Sequence, residues 1–277
     1  MAVTSLKSLH QGKELPDGGA ALQIHSPYSQ ALLAEMQTAT QQQLEQALAV
    51  GHAIATDRRR WLSVNERIAV LKKTAALMRE EKQHLIATAV NEGGKPWQDS
   101  AVEVDRAIAG VELCISNLSG QAGEVIPLTS PSPEVSYTAL TQRQPRGLVV
   151  AVSAFNHPLN LIVHQVGAAV AAGCPCIVKP AEPTPMSCHA FVEILYRAGL
   201  PEEYCQVVMP ETLELATALV TDPRVAFFSF IGSARVGWML RSKLAPGTRC
   251  ALEHGGVAPV IVHSSAREEK VVRDVMK

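Results

Sequence analysis

Aromatic residues are scarce in this 277-residue chain, at 4%, and the charges almost cancel, leaving a formal net charge of −1. Such a balance argues against nucleic acid or an anionic membrane as the main partner. No apolar run approaches the ~18 residues of a membrane span. The N-terminal MAVTSLKSLHQGKELPDGG has no apolar core of the kind a secretory signal needs, so a cytoplasmic location is expected. There is no CxxC pair. The six cysteines (114, 174, 176, 188, 205 and 250) sit mostly inside apolar runs and read as small buried hydrophobes in a reducing compartment. Cys174-Pro-Cys176 has no second ligand pair nearby, so no metal site is expected. Internal repeats and low-complexity tracts are absent, and so is any GxGxxG fingerprint. The length suits one large or two modest domains.

What is present is organised around Gly147–Glu182, GLVVAVSAFNHPLNLIVHQVGAAVAAGCPCIVKPAE. Leu148–Val152 is a continuous apolar run, as in a parallel strand covered on both faces. Asn156 and Pro158 have the residue types that open a helix. Leu161 to Ala172 is apolar almost throughout, which predicts a buried helix that Gly173 ends. Ile177–Val178 is the next strand, with Lys179-Pro-Ala-Glu182 at its carboxyl end. Ligands bind at that end in open α/β sheets.

Before this stretch, residues 1–30 read as an irregular or strand-bearing lead-in with a turn at Ser26 and Pro27. Thr40 with Gln43, and Ser63 with Glu66, fit capping boxes that open two helices. Another helix covers about Lys82 to Asn91, stopped by Gly93-Gly94 and Pro96. In the next, Val104, Ile108, Val111, Ile115 and Leu118 recur at steps of four and three. Ser130-Pro131-Ser132-Pro133 breaks that pattern. Val135, Tyr137, Ala139 and Leu140 then suggest an extended arm, either an ordinary edge strand or one that pairs with another subunit. After it, strands at Cys205–Met209, Val225–Phe230, Arg249–Leu252 and Val260–His263 alternate with helices at Met186–Gly199, Leu213–Thr221, Ser233–Leu244 and Ala266–Lys277. This rhythm predicts an α/β fold: a Rossmann-like, mostly parallel sheet wrapped by helices.

Four segments carry residues able to do chemistry. Phe230-Ile-Gly232-Ser233 ends a strand and opens a helix, which is either a well-capped helix or a phosphate site. Lys179 and Glu182 form either a solvated ion pair or a pair of ribose ligands. Asn156 is either a helix cap or an amide donor to a developing oxyanion. Glu253, ahead of His254-Gly255-Gly256, could act as a general base. His254 reads as a surface or packing residue.

In their order along the chain, these segments resemble the NAD(P)-dependent aldehyde dehydrogenase superfamily. The resemblance runs from the helices after residue 40 to the last residue. It rests on Ala154-Phe155-Asn156-His157-Pro158, Lys179-Pro-Ala-Glu182, Phe230-Ile-Gly232-Ser233 with Val236-Gly237, and Leu252-Glu253-His254-Gly255-Gly256. Glu92-Gly-Gly-Lys-Pro96 and Gly123-Glu-Val-Ile-Pro127 are also family-like. The resemblance implies that Asn156 and Glu253 are catalytic, as oxyanion donor and as general base for thioester hydrolysis. It implies cofactor contacts at Phe155, Asn156, Lys179, Glu182, Gly232, Ser233 and His254. It implies NAD, with NADP less favoured, a small-molecule aldehyde substrate and a homo-oligomer. In such a family a cysteine thiolate attacks the aldehyde, hydride passes to the nicotinamide and water releases the acid.

The implied layout is a first part of the NAD-binding domain at 1–128 and an oligomerisation arm at 129–145. The domain's second part follows at 146–257, then the start of a catalytic domain at 258–277. Departures accompany the match. Phe155 stands where the family usually has Trp, His254 where it has Leu, and Met209-Pro-Glu-Thr lacks the usual glycines. The family's catalytic cysteine lies a few dozen residues beyond the general base, and Cys250 has no family motif around it. The expectation is therefore a truncated form lacking the nucleophile, or alternatively a nucleotide-binding or catalytically dead module. The FNHPLN segment is similar to those of branches acting on small polar or phosphorylated aldehydes, and no single substrate follows from it.

Overall fold

In a computed structural model, which describes residues 3–6, 9–10, 13–14, 19–120, 123–128 and 137–276, the alternating signals become a layered α/β fold. The lead-in holds short strands β1 (Thr4–Leu6), β2 (Leu9–His10) and β3 (Lys13–Glu14), then β4 (Ala21–His25) and β5 (Leu32–Gln37), joined through the turn at Ser26. Helices α1 (Gln41–Thr56) and α2 (Val64–Glu80) begin at the two capping boxes. Gln43 N–H donates to Thr40 Oγ1 at 3.4 Å and Thr40 N–H to Gln43 Oε1 at 2.9 Å. Ser63 and Glu66 repeat the exchange. α3 (Lys82–Gly93) stops at Gly94, whose φ of 64° only glycine adopts cheaply. α4 (Trp97–Ser119) buries Val104, Ile108, Val111 and Leu118, as its spacing predicts.

Strands β6 (Val125–Ile126) and β7 (Ala139–Leu140) form a separate antiparallel hairpin. Residues 129–136, which carry Ser130–Pro133 and Val135 of the expected arm, lie outside the described residues. Strand β8 (Leu148–Val152) is followed by α5, residues 160–172, which has a π-helical turn at Val163–Gly167. Then come β9 (Cys176–Lys179), α6 (Met186–Ala198), β10 (Cys205–Val207), α7 (Leu213–Thr221), β11 (Val225–Gly232), α8 (Ala234–Arg241), β12 (Arg249–His254) and α9 (Glu268–Val275).

Five of these strands run parallel in the order β12-β11-β8-β9-β10, and β2 and β3 extend the β10 edge antiparallel. The chain moves outward from β8 to β9 and β10. It then returns to the other side of β8 to lay down β11 and β12. The reversal leaves a switch point between β8 and β11, where the loops leaving two neighbouring strands diverge and open a crevice. Helices cover both faces. On one face Val149, Ala151 and Val178 pack with α2 to α6; on the other Leu148, Val150, Phe228 and Phe230 pack with α1, α7 and α8. Burial on both faces explains why β8 reads as an unbroken apolar run.

Two expectations fail here. Asn156 does not cap the helix after β8. That helix begins at Asn160, because the Glu103 carboxylate on α4 accepts the N–H groups of Leu159 and Asn160 at 2.9 and 3.2 Å. Val260–His263 is not a strand. Val260, Ile261 and Val262 are exposed, and β propensity without a neighbouring strand does not hold an extended segment in a sheet. Smaller differences lie at element ends. The strand expected to reach Met209 ends at Val207, and the helix expected to reach Leu244 ends at Arg241.

Candidate functional site

The carboxyl ends of β8, β9, β11 and β12 bring Phe155 and Asn156, Lys179 and Glu182, Gly232 and Ser233, and Glu253 and His254 to one rim of the sheet. Successive side chains of a strand point to opposite faces. In register, Val152 lies beside Lys179 and Phe230, and Phe230 beside Leu252. Lys179 therefore shares a face with Phe230 and His254. Glu253, paired with Ile231, points to the other face, the one that carries α5. The rim is thus divided by the sheet into two sides.

On the first side, α7 and α8 form a slot of about 400 Å³ lined by Val152, Phe230, Val220, Met239 and Leu240, with Lys179 at one wall. A largely apolar slot of this size accepts a heteroaromatic base. A second cleft of about 290 Å³, lined by Lys179, Glu182, Glu211 and Thr212, adjoins it. The Lys179 side chain is only 13% exposed, and desolvation lowers its pKa from the ordinary lysine value. Its Nζ donates to Pro180 O at 3.2 Å and faces Glu182 Oε1 at 3.7 Å. An ammonium has three protons to donate, so this largely buried cation has capacity left for a hydroxyl-bearing ligand in the cleft. A larger cavity, about 580 Å³ between α1 and α7, ends at Asp222, away from the rim residues.

Ser233 is the N-cap of α8, its Oγ accepting from Val236 N–H at 3.4 Å. No acidic residue lies in the first turn, so the positive end of the helix faces the crevice uncompensated. A Cβ on Gly232 would lie 2.7 Å from the Phe230 ring. A Cβ on Gly237 would collide with the His254 imidazole and stand 2.9 Å from Phe230. His254 itself packs edge-on between Phe230 and Trp238, at centroid distances of 6.2 and 5.5 Å. The packing reading of His254 therefore holds, and its ring holds α8 against β11 and β12.

The side chains of Asn156, in the loop after β8, and of Glu253, on the second side, are both exposed and make no hydrogen bond or ion pair among the described residues. The Asn156 loop is fixed from below. Glu103, whose side chain has no exposed surface, takes Lys95 Nζ on Oε2 at 2.6 Å, and Lys95 also meets His157 Nδ1 at 3.0 Å. Gln165, on the π turn of α5, donates to Val152 O and Ser229 O at 3.1 Å each, tying the ends of β8 and β11. A second buried carboxylate, Glu92, accepts the N–H groups of Met186 and Ser187 at 2.7 and 2.9 Å and so caps α6 after the Lys179–Glu182 loop. Burial raises the Glu92 pKa to about 7. The sequence reading missed the roles of Glu92, Lys95, Glu103 and Gln165. Glu92 and Lys95 lie in a family-like segment, and that was the available signal. Glu103 and Gln165 act across 56 and 64 residues, which no local pattern reveals.

None of the six cysteines has the surroundings of a nucleophile. Cys174, Cys176, Cys188 and Cys205 are buried. Desolvation raises the pKa of Cys114, Cys176, Cys188 and Cys205, the last to about 12. Cys250 packs beside Leu252, and strand alternation puts it on the face opposite Glu253.

A family model described as the aldehyde dehydrogenase family matches residues 16–277. The 3-sulfolactaldehyde dehydrogenase of Priestia aryabhattai is 32% identical over 249 residues, covering 90% of this chain and 51% of that protein. Aldehyde dehydrogenase 21 from Physcomitrella patens, solved in complex with the reaction product succinate, superposes with a TM-score of 0.87 at 29% identity, over 94% of this chain and 53% of the other. An NADP-dependent enzyme of E. coli superposes with a TM-score of 0.88 at 28% identity, over 99% and 56%. The chain spans about half the length of the curated relatives it matches.

Proposed function

The chain belongs to the aldehyde dehydrogenase family, and from that premise we propose that it forms the dinucleotide-binding side of an NAD-dependent enzyme that oxidises an aldehyde to a carboxylic acid. The observation that carries the proposal is the switch point between β8 and β11, with the residues of four strand ends around one crevice. The surroundings fit a dinucleotide. The slot between α7 and α8 suits adenine, Lys179 and Glu182 suit the hydroxyls of its ribose, and the amino end of α8 at Gly232 and Ser233 suits a pyrophosphate. His254 acts through packing and Phe155 covers the rim. When bound, the nicotinamide ring supplies a hydride acceptor.

The residues of this chain then have distinct tasks. The Asn156 amide donates to the aldehyde oxygen as negative charge develops there. Glu253, exposed and without an ion pair among the described residues, takes a proton from water in the hydrolytic step. Glu253 lies on the face opposite Lys179, so a dinucleotide reaching both sides crosses the carboxyl edge of the sheet. Glu182 beside a ribose 2′-oxygen disfavours a 2′-phosphate, which supports NAD over NADP. Of the named relatives, one is named for a sulfonated aldehyde and another was solved with succinate as its reaction product, so a small aldehyde with a remote anionic group is the substrate class we favour. The environments of the six thiols support a second element of the reading: these 277 residues bind the dinucleotide and do not turn over aldehyde by themselves. Free buried thiols suit a reducing, cytoplasmic setting. The exposed hairpin β6–β7, with Val125, Tyr137 and Leu140 on its surface, supports pairing between copies through the arm at 129–145.

The test is calorimetric titration with NAD. One-site binding that Lys179→Ala weakens at least tenfold supports the reading. Absence of binding, or binding indifferent to Lys179, rejects it.

A further inference from the structure

The loop Met209-Pro-Glu-Thr lines the cleft beside Lys179 and Glu182, and its placement has a consequence. The loop is held to the segment before α1: Ala39 N–H donates to Met209 O at 2.6 Å, Glu211 N–H donates to Ala39 O at 3.1 Å, and Ala39 bridges Pro210 in parallel. Pro210 is buried, and Thr212 Oγ1 caps α7 by accepting from Leu215 N–H at 3.2 Å. Glu211 is fixed between these two anchors. A Cβ placed on Gly19 would stand 2.9 Å from Glu211 Cδ, so backbone also backs the carboxylate from the lead-in. Among the described residues the carboxylate pairs with no cation.

Glu211 lines the same cleft as Lys179 and Glu182 but comes from the loop after β10, while Glu182 comes from the loop after β9. The cleft therefore has two carboxylates and one ammonium, and that ammonium already faces Glu182 at 3.7 Å. We propose that Glu211 is a specificity-determining residue that, together with Glu182 in this cleft, rejects a 2′-phosphorylated adenosine. The proposal rests on the dinucleotide reading of this crevice. A phosphate monoester carries about −1.5 to −2 charges at neutral pH. Within a cleft of this size both carboxylates lie inside the ~8–10 Å screening length of physiological salt. A 2′-hydroxyl meets no such repulsion. Arg235, on the wall of the neighbouring slot and without an ion pair among the described residues, is the cation that a 2′-phosphate would have to reach instead.

The experiment is parallel calorimetric titration of the full chain with NAD and with NADP, using wild type, Glu182→Gln, Glu211→Gln and Glu211→Asp. The wild type is expected to bind NAD at least about tenfold more tightly than NADP. In Glu211→Gln that ratio is expected to fall about three- to tenfold, the effect of removing one screened charge. Glu211→Asp restores it, and higher salt narrows it more in the wild type and Glu211→Asp than in Glu211→Gln. A purely structural role would move both affinities together and leave the ratio unchanged. An unchanged ratio in Glu211→Gln, with NAD preferred by the wild type, overturns the role of Glu211 and leaves the dinucleotide reading standing. Wild type that binds NADP as tightly as NAD overturns the charge argument for both carboxylates. Wild type that binds neither overturns the dinucleotide reading itself.

Discussion

Glu103 has no exposed side-chain surface and holds three structural elements at once: Lys95 after α3, His157 in the loop after β8, and the first N–H groups of α5. Replacing it by Ala leaves a largely buried ammonium and two N–H groups without their acceptor. The expected loss is about 3 kcal/mol, read as a lower urea midpoint at unchanged slope. Glu182→Gln removes the exposed carboxylate facing the largely buried Lys179 at 3.7 Å, and is expected to cost at most about 1 kcal/mol. Glu92 gives a pH signature. Its folded pKa of about 7 stands above the ordinary 4.5, so between these values the native state binds more protons than the unfolded chain. Stability from this residue is greatest below the unfolded value and falls as pH rises through the folded one. Between pH 5 and pH 8 the wild type should lose stability relative to Glu92→Gln, on the order of 2–3 kcal/mol at most. A difference between the two proteins that does not change with pH would count against the raised pKa. Beyond the family-like segment that holds Glu92 and Lys95, none of this was legible in the sequence. Glu92 and Glu103 look like ordinary helix charges until distant helix ends are laid against them.

At the scale of elements, what is encoded locally was legible. The capping boxes at Thr40 and Ser63, the glycine stop after α6 and the apolar period of α4 specify their helices through neighbours three or four residues away. Misreadings arose where a remote group replaced a local one. Asn156 has a capping side chain, but Glu103 supplies the acceptor and the helix starts at Asn160. Val260–His263 has strand-forming residues and, among the described residues, no partner strand. The contact of α8 with β11 and β12 through Gly237 is another remote dependence. Gly237→Ala should cost about 1–3 kcal/mol, because the added methyl meets both the His254 ring and Phe230. In a His254→Ala background the cost should shrink. Additive effects in that double-mutant cycle would show that the ring does not set the position of α8.

At the scale of the molecule, the βα alternation announced a mostly parallel sheet, but strand order is a matter of non-local pairing and was not readable. The position of β11 beside β8, rather than beside β10, is what makes the crevice and gathers Asn156, Lys179, Ser233 and Glu253 at one rim. The same view bears on turnover. With four thiols buried and Cys250 on the face away from Glu253, the chain mixed with NAD and aldehyde should produce no NADH above a blank. Turnover abolished by Cys250→Ala would make that thiol a nucleophile and contradict the account.

The location of the crevice is the central claim, and hydrogen–deuterium exchange with saturating NAD tests it most directly. Protection is expected at the carboxyl ends of β8, β9 and β11 and in the first turn of α8, with none at the cavity between α1 and α7. Protection confined to that cavity, or no protection anywhere at a concentration where calorimetry shows binding, would contradict it.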